Sequence, residues 1–482
     1  MGQCPCIWNG NLMLLTQIEF LLFFLLLLGC LSVSRENRTR KIILLIASYY
    51  FYAYWDWRFL GLLFISTFSD YLIGKHLSES AILGRRRLLI FTSLLINLSI
   101  LAGFKYFNFF VSSLQHLLTP IGLNVETLSV ILPLGISFYT FRTLSYTIDV
   151  YRRRLEPCAS LLDYAVFVSF FPTMVAGPIV RASELLPQLT RSVTLSINGT
   201  LSGFRSFVIG LFMKVFVADG IATFTNYVFG NVAVFNSLTI WLAVIGYSIQ
   251  LYCDFAGYSM MAIGLAKAIG YEVPENFNFP YLSKNIADFW RRWHITLSSW
   301  IRDYVYISLG GNRKGKIRTY LNLIFAMSLC GLWHGAAWTF VFWGFFHGLA
   351  LALHRIWITV KSRTETKADR DSNPFSGFLG RIATLLTVVV GWVFFRADGF
   401  NSALVVLGKM FYPTAGVDWY HPFVLFVLLF FVIVHFVELF RLGEYHKLPL
   451  SAWYTPAFVF TMIWLCIVFG PKEFAPFIYS QF

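Results

Sequence analysis

Apolar residues run along this chain in long blocks, from residue 12 to residue 470, and polar residues collect in short gaps between them. A helix needs about 20 mostly apolar residues to cross a bilayer. On that measure the pattern predicts an all-α polytopic membrane protein with about ten to twelve membrane helices, some short or broken. The first span is expected at 12–33. The stretch 42–74 is too long for one helix and is interrupted by Trp55-Asp56-Trp57-Arg58, so it reads as a hairpin of two short spans. Further spans are expected at 88–110, 127–148, 203–218 and 238–268. Two apolar stretches, 319–333 and 337–356, flank Trp333-His334-Gly335. A charged loop at 361–371 precedes spans at 378–396, 422–440 and 456–470.

Two segments break the pattern. In 160–190, Phe170-Phe171-Pro172-Thr173-Met174-Val175-Ala176-Gly177-Pro178-Ile179 places two prolines and a glycine in an apolar run. Those residues break a helix, and irregular backbone at membrane depth must be shielded by protein. A re-entrant loop is expected there. In 270–318 the chain turns polar, aromatic and basic. Eight basic residues between 284 and 318 face only Asp288 and Asp303, and Trp290, Trp293, Trp300 and Tyr304 lie among them. This pattern predicts an interfacial helix on the cytoplasmic surface. With no internal repeat or low-complexity linker, 1–482 reads as a single membrane domain.

Charge sets the orientation. Basic clusters at 35–41, 85–87 and 152–154 belong on the cytoplasmic side, and all three agree with an N-terminus outside. No Lys or Arg precedes Arg35, so the first apolar run reads as a span and not as a cleaved signal peptide. Only 13% of residues are charged and mean hydropathy is +0.66, which leaves no room for a large soluble domain. Seven scattered Cys show no zinc-type spacing and read as isolated thiols. No Walker-type loop or Gly-x-Ser-x-Gly elbow is present, which removes an ATP-driven pump and a serine hydrolase.

Three histidines stand out: His294 in Phe289-Trp290-Arg291-Arg292-Trp293-His294, His334 in Gly331-Leu332-Trp333-His334-Gly335, and His347 in Gly344-Phe345-Phe346-His347-Gly348. Glycines four apart let another backbone approach closely. Helix packing, with histidine as interhelical glue, is therefore the alternative to a chemical role, and for His347 it is the better reading. His334 lies at a glycine-flanked break between apolar stretches, where an ionisable group needs a cavity or a partner. A neutral imidazole there can take a proton from a hydroxyl, as acyl transfer from a thioester to an alcohol requires. His294 is placed on the interfacial helix, either facing headgroups or assisting His334. Asp288 and Arg292, four apart, can pair on that helix. The basic segment would attract anionic lipid headgroups or a phosphate-bearing acyl donor, and Gly310-Gly311-Asn312-Arg313 would make a tight turn. Periodicity alone leaves a transporter open, since broken helices and midplane polar residues suit a carrier too; a scaffold that recruits periplasmic partners is a third reading.

Several runs together resemble the membrane-bound O-acyltransferase family, and within it the bacterial alginate O-acetylation branch. They are Val175-Ala176-Gly177-Pro178-Ile179, Asp254-Phe255-Ala256-Gly257-Tyr258-Ser259, Asn276-Phe277-Asn278-Phe279-Pro280-Tyr281, Asp288–His294, Arg302-Asp303-Tyr304, Leu309–Arg313, Gly331–Gly335, Trp343–Gly348 and Phe477-Ile478-Tyr479. The resemblance covers most of the chain and is densest between 250 and 350. It implies helices around a central tunnel, with His334 as the catalytic histidine and His294 as the second. Arg291, Arg292, Trp293, Asp288, Asn312, Arg313 and Asp254 become candidates for holding donor or substrate, with His347 secondary. The resemblance also implies an acetyl group taken from a cytoplasmic thioester, acetyl-coenzyme A being the expected donor, with no bound cofactor or metal. The acceptor would be an extracytoplasmic polysaccharide such as alginate, cellulose or peptidoglycan. Periplasmic acyltransferase partners and membrane lipids, but no nucleic acid, are the expected partners, and the bacterial inner membrane the location. Thr173 departs from the family pattern, where a histidine or other polar side chain is common.

Overall fold

The computed structural model describes residues 13–119, 127, 131–364, 374–441, 454–471 and 477–478. These are helical almost throughout; the β pairing among them is one isolated bridge between Phe235 and Val417. Cys4, Cys6, Tyr479 and most of the 361–371 loop lie outside the described residues. Six helices are long and apolar enough to cross a membrane, and four shorter apolar helices accompany them. The expected all-α polytopic architecture is therefore what the chain adopts. It forms two compact units, Met1–Phe207 with Ser259–Pro274, and Val208–Tyr258 with Glu275–Phe482.

In the first unit, the expected hairpin is Asn37–Asp56 and Leu60–Glu79, joined by a single 3-10 turn at Trp57–Phe59. Asp56 makes that break: its carboxylate accepts from the Arg58 backbone N–H at 3.0 Å and from the Arg58 guanidinium at 2.6 Å. Leu60–Glu79, Leu83–Leu101 and Ile136–Tyr151 pack together around one polar cluster. Asp70 accepts from Ser93 at 2.6 Å and from Asn97 at 2.8 Å, and Asn97 accepts from Ser66 and Thr143. Bonds of this kind hold membrane helices in register where the hydrophobic effect cannot.

The proline-containing segment is a break in the helix, as expected. Leu161–Ser169 ends at a 3-10 turn, Phe171–Thr173, and regular helix resumes at Ala182–Thr190. Its backbone carbonyls are gathered by the buried Arg142. The guanidinium donates to Val168 O at 3.2 Å, to Phe170 O at 3.4 Å, and to both the carbonyl and the hydroxyl of Thr173. Thr173 thus takes part in shielding the irregular backbone.

The second unit is built on a tight hairpin, Lys316–His334 and Trp338–Thr364. Glycines set its closeness. A Cβ on Gly331 would strike the Phe340 carbonyl, one on Gly344 the Met327 carbonyl, and one on Gly348 would lie 2.7 Å from the Ile324 Cα. The repeated Gly-x-x-His-Gly frame is therefore a packing seam as well as a carrier of histidines. Pro374–Arg396 packs beside Trp338–Thr364, and Gly391 leaves the space that His347 fills.

Replacing Gly344 by Val should force the two helices apart at the cost of overpacking, about 1–3 kcal/mol. The expected result is a lower thermal midpoint in detergent and less protein recovered from membranes, whereas Gly399→Ala, where added atoms meet open space, should leave both unchanged.

Candidate active site

The segment 270–318 differs from the single surface helix expected of it. It is divided into Ile286–Arg292, Ile295–Trp300 and a π-helical turn, Ile301–Tyr306. The break at Trp293-His294 turns the chain inward. Trp293 and His294 are fully buried, so His294 is not a headgroup-facing residue. His294 adopts φ +43° and ψ +55°, the left-handed region that costs a non-glycine residue about 1–2 kcal/mol. Neighbouring backbone holds it there: Ile295 N–H donates to Asn276 O and Asn278 N–H to Arg292 O, each at 2.9 Å.

The hairpin brings His334 to the same place. It ends the Lys316–His334 helix, 1% exposed, and its ring centroid lies 6.3 Å from that of His294. Aromatic rings close around the pair. Phe255 meets His294 edge to face at 4.6 Å; Trp343 and Phe395 meet His334 at 5.1 and 5.5 Å. Two imidazoles, 40 residues apart in sequence, thus share a region of low dielectric, where any interaction with developing charge is strengthened.

The His294 ring is oriented by one side chain. Its Nδ1 lies 3.0 Å from Asn276 Oδ1, which also accepts from the Thr296 hydroxyl at 2.9 Å and the Thr296 backbone N–H at 3.3 Å. The other ring nitrogen, Nε2, is buried with no hydrogen-bond partner among the described residues. Such an atom is free to accept or donate a hydrogen bond to whatever enters beside it.

His347 sits one shell away, 0% exposed, within rings of Trp290, Trp343, Trp392 and Phe289. Trp343 touches both His334 and His347. Packing is the reading this cage favours for His347. Asp288 and Arg292 form the expected pair at 3.1 Å, and Asp288 also accepts from the Lys284 backbone N–H. Arg291, Asn312 and Arg313 are exposed. Asn312 sits just after glycines with φ of +107° and +55°, and its side chain bonds Tyr306 and Arg355. The structure therefore groups His334, His294 and Trp293, and places the basic residues at a surface.

Asp254 has a different setting. With Asp219 it surrounds Lys214, at 2.6 and 2.7 Å, with all three side chains buried. Its second oxygen accepts from the Ile478 backbone N–H at 3.1 Å, and Phe477 packs on Phe255, the ring that meets His294. The cluster fastens Phe477 and Ile478 beside Phe255. Lys214 lies in a π-helical stretch, Phe212–Asp219, and was legible as a lone cation in an apolar run; sequence reasoning passed over it. The Asn276 contact to His294 was also missed, since no single-sequence signal pairs it with a residue 18 positions away.

The chain matches the model of the membrane-bound O-acyltransferase family over residues 49–387. It is 42% identical to the probable alginate O-acetylase AlgI of Pseudomonas aeruginosa over 401 residues, 82% of this chain and 74% of that protein. It is 38% identical to the peptidoglycan O-acetyltransferase of Helicobacter pylori over 396 residues, 77% and 73% of the two chains. Similarity to the teichoic acid D-alanyltransferase of Bacillus subtilis is 29% over 286 residues, 56% and 69%.

Removing Lys214 leaves two buried carboxylates without their cation, which costs about 3–5 kcal/mol. Lys214→Met should therefore lower thermal stability in detergent far more than Asp254→Asn, which keeps the Lys214–Asp219 pair. Equal losses would contradict the cluster's role.

Proposed function

This chain belongs to the membrane-bound O-acyltransferase family, and from that membership we propose that it takes an acetyl group from a cytoplasmic thioester and passes it on for O-acetylation of a polysaccharide outside the membrane. It is a multi-pass membrane acyltransferase. The donor proposed is acetyl-coenzyme A, the location the bacterial inner membrane with the N-terminus outside, and the onward carriers periplasmic acyltransferase proteins. The acceptor class follows the names of the relatives, alginate first among them.

The observation that carries this reading is the meeting of His294 and His334, two buried imidazoles within 6.3 Å. In the transfer step the acceptor's hydroxyl oxygen adds to the thioester carbonyl while His334 takes the hydroxyl proton. The tetrahedral centre then collapses with loss of the C–S bond, and the imidazolium returns its proton to the departing thiolate. One C–O bond has formed, one C–S bond has broken, and the imidazole ends as it began. His294 supplies a second acceptor beside His334, sharing the proton load. The exposed Arg291 and Arg313 suit the donor's phosphates.

His334→Ala should lower transfer of labelled acetyl from acetyl-coenzyme A to acceptor by about 100-fold or more, the scale of a general base, with membrane levels of the protein unchanged. Near-normal transfer, or uptake of intact substrate by proteoliposomes without thioester consumption, would overturn the reading.

A further inference from the structure

His294 has one ring nitrogen held by Asn276 and the other, Nε2, buried without a hydrogen-bond partner among the described residues. Which nitrogen carries the proton follows from Asn276. The Thr296 backbone N–H can only donate, so the Asn276 atom it meets at 3.3 Å must be the carbonyl oxygen. A flipped amide would set an NH2 group against that N–H. The same oxygen lies 3.0 Å from His294 Nδ1, so Nδ1 must carry hydrogen. The unbonded Nε2 then holds the lone pair.

We propose that Asn276 is a positioning residue that fixes His294 as the Nδ1–H tautomer, so that Nε2 stands as a second acceptor beside His334, able to share the proton that His334 takes from the hydroxyl. The inference rests on the reading of His294 and His334 as the transfer centre. The second nitrogen of a histidine often sets its chemistry in this way, and the opposite tautomer would turn the open edge of the ring from acceptor to donor. The backbone strain at His294 belongs to the same device. A left-handed residue persists only where its surroundings over-determine it, and here the Asn276 carbonyl grips Ile295 while the Asn276 side chain grips the ring. One residue therefore sets both the entry of the backbone and the tautomer.

The test is nitrogen-15 NMR of histidine-labelled full-length protein in lipid bilayers, with the His294 signals assigned by their loss in His294→Gln. The wild type should show a protonated Nδ1 and an unprotonated Nε2. Asn276→Leu, similar in shape but without the acceptor, should show the Nε2–H form or a mixture. Its kcat should fall about 10–100-fold, the usual effect of losing a histidine's orienting partner, with KM for acetyl-coenzyme A little changed. Asn276→Asp, which keeps an acceptor oxygen, should retain the Nδ1–H signature and most of the activity. Thr296→Val, which removes another donor to the same oxygen, should leave the tautomer in place. A wild-type spectrum with Nε2–H overturns the proposal even if every variant misfolds. So does an unchanged tautomer in Asn276→Leu, which would mark the residue as a brace alone. Either result leaves the role of His334 standing, whereas a His334→Ala protein that still transfers acetyl removes the centre itself.

Discussion

Inside a bilayer no water is at hand to satisfy a polar group, so each must find its partner within the protein. Much of this chain obeys that constraint. Asp70 is bonded by Ser93 and Asn97, Arg142 gathers the carbonyls of a broken helix, and Lys214 is enclosed by two carboxylates. Within each unit these clusters bind helix to helix, with polar atoms as the adhesive. The open Nε2 of His294 lies buried beside His334, where the proposed transfer would take place.

Close packing delivers the second histidine. Gly331, Gly344 and Gly348 let two helices approach until their backbones touch, and the bend between those helices falls at His334-Gly335. The same seam carries Trp343, which contacts both His334 and His347. Packing and chemistry are therefore joined in one motif. Aromatic rings of Phe255, Trp343 and Phe395 line the two imidazoles, the kind of low-dielectric wall that the proposed transfer would need.

Much of this was legible in the sequence. Blocks of apolar residues marked the helices, Trp55–Arg58 marked the hairpin, and prolines 172 and 178 marked the broken segment. His334 stood out by its glycines and by an ionisable ring in an apolar setting. The course of 270–318 was not legible. Its basic residues suggested a surface helix, and several do stay outside, but Trp293 and His294 turn inward at a left-handed residue that no periodicity reveals. Asn276 was hidden for a similar reason. Its partner lies across a loop, and a pairing at that distance leaves no mark on local pattern. Asp254, grouped with the substrate-binding candidates by resemblance, pairs with Lys214, a contact set by the tertiary fold.

The central claim is that His294 and His334 act as one transfer centre, and a double-mutant cycle tests it most directly. Acetyl transfer would be measured for His294→Ala, His334→Ala and the pair together. Groups that work as a unit are strongly non-additive, so the double variant should be no slower than the slower single variant. If the two losses simply multiply, the histidines act independently and the account of a shared centre is wrong.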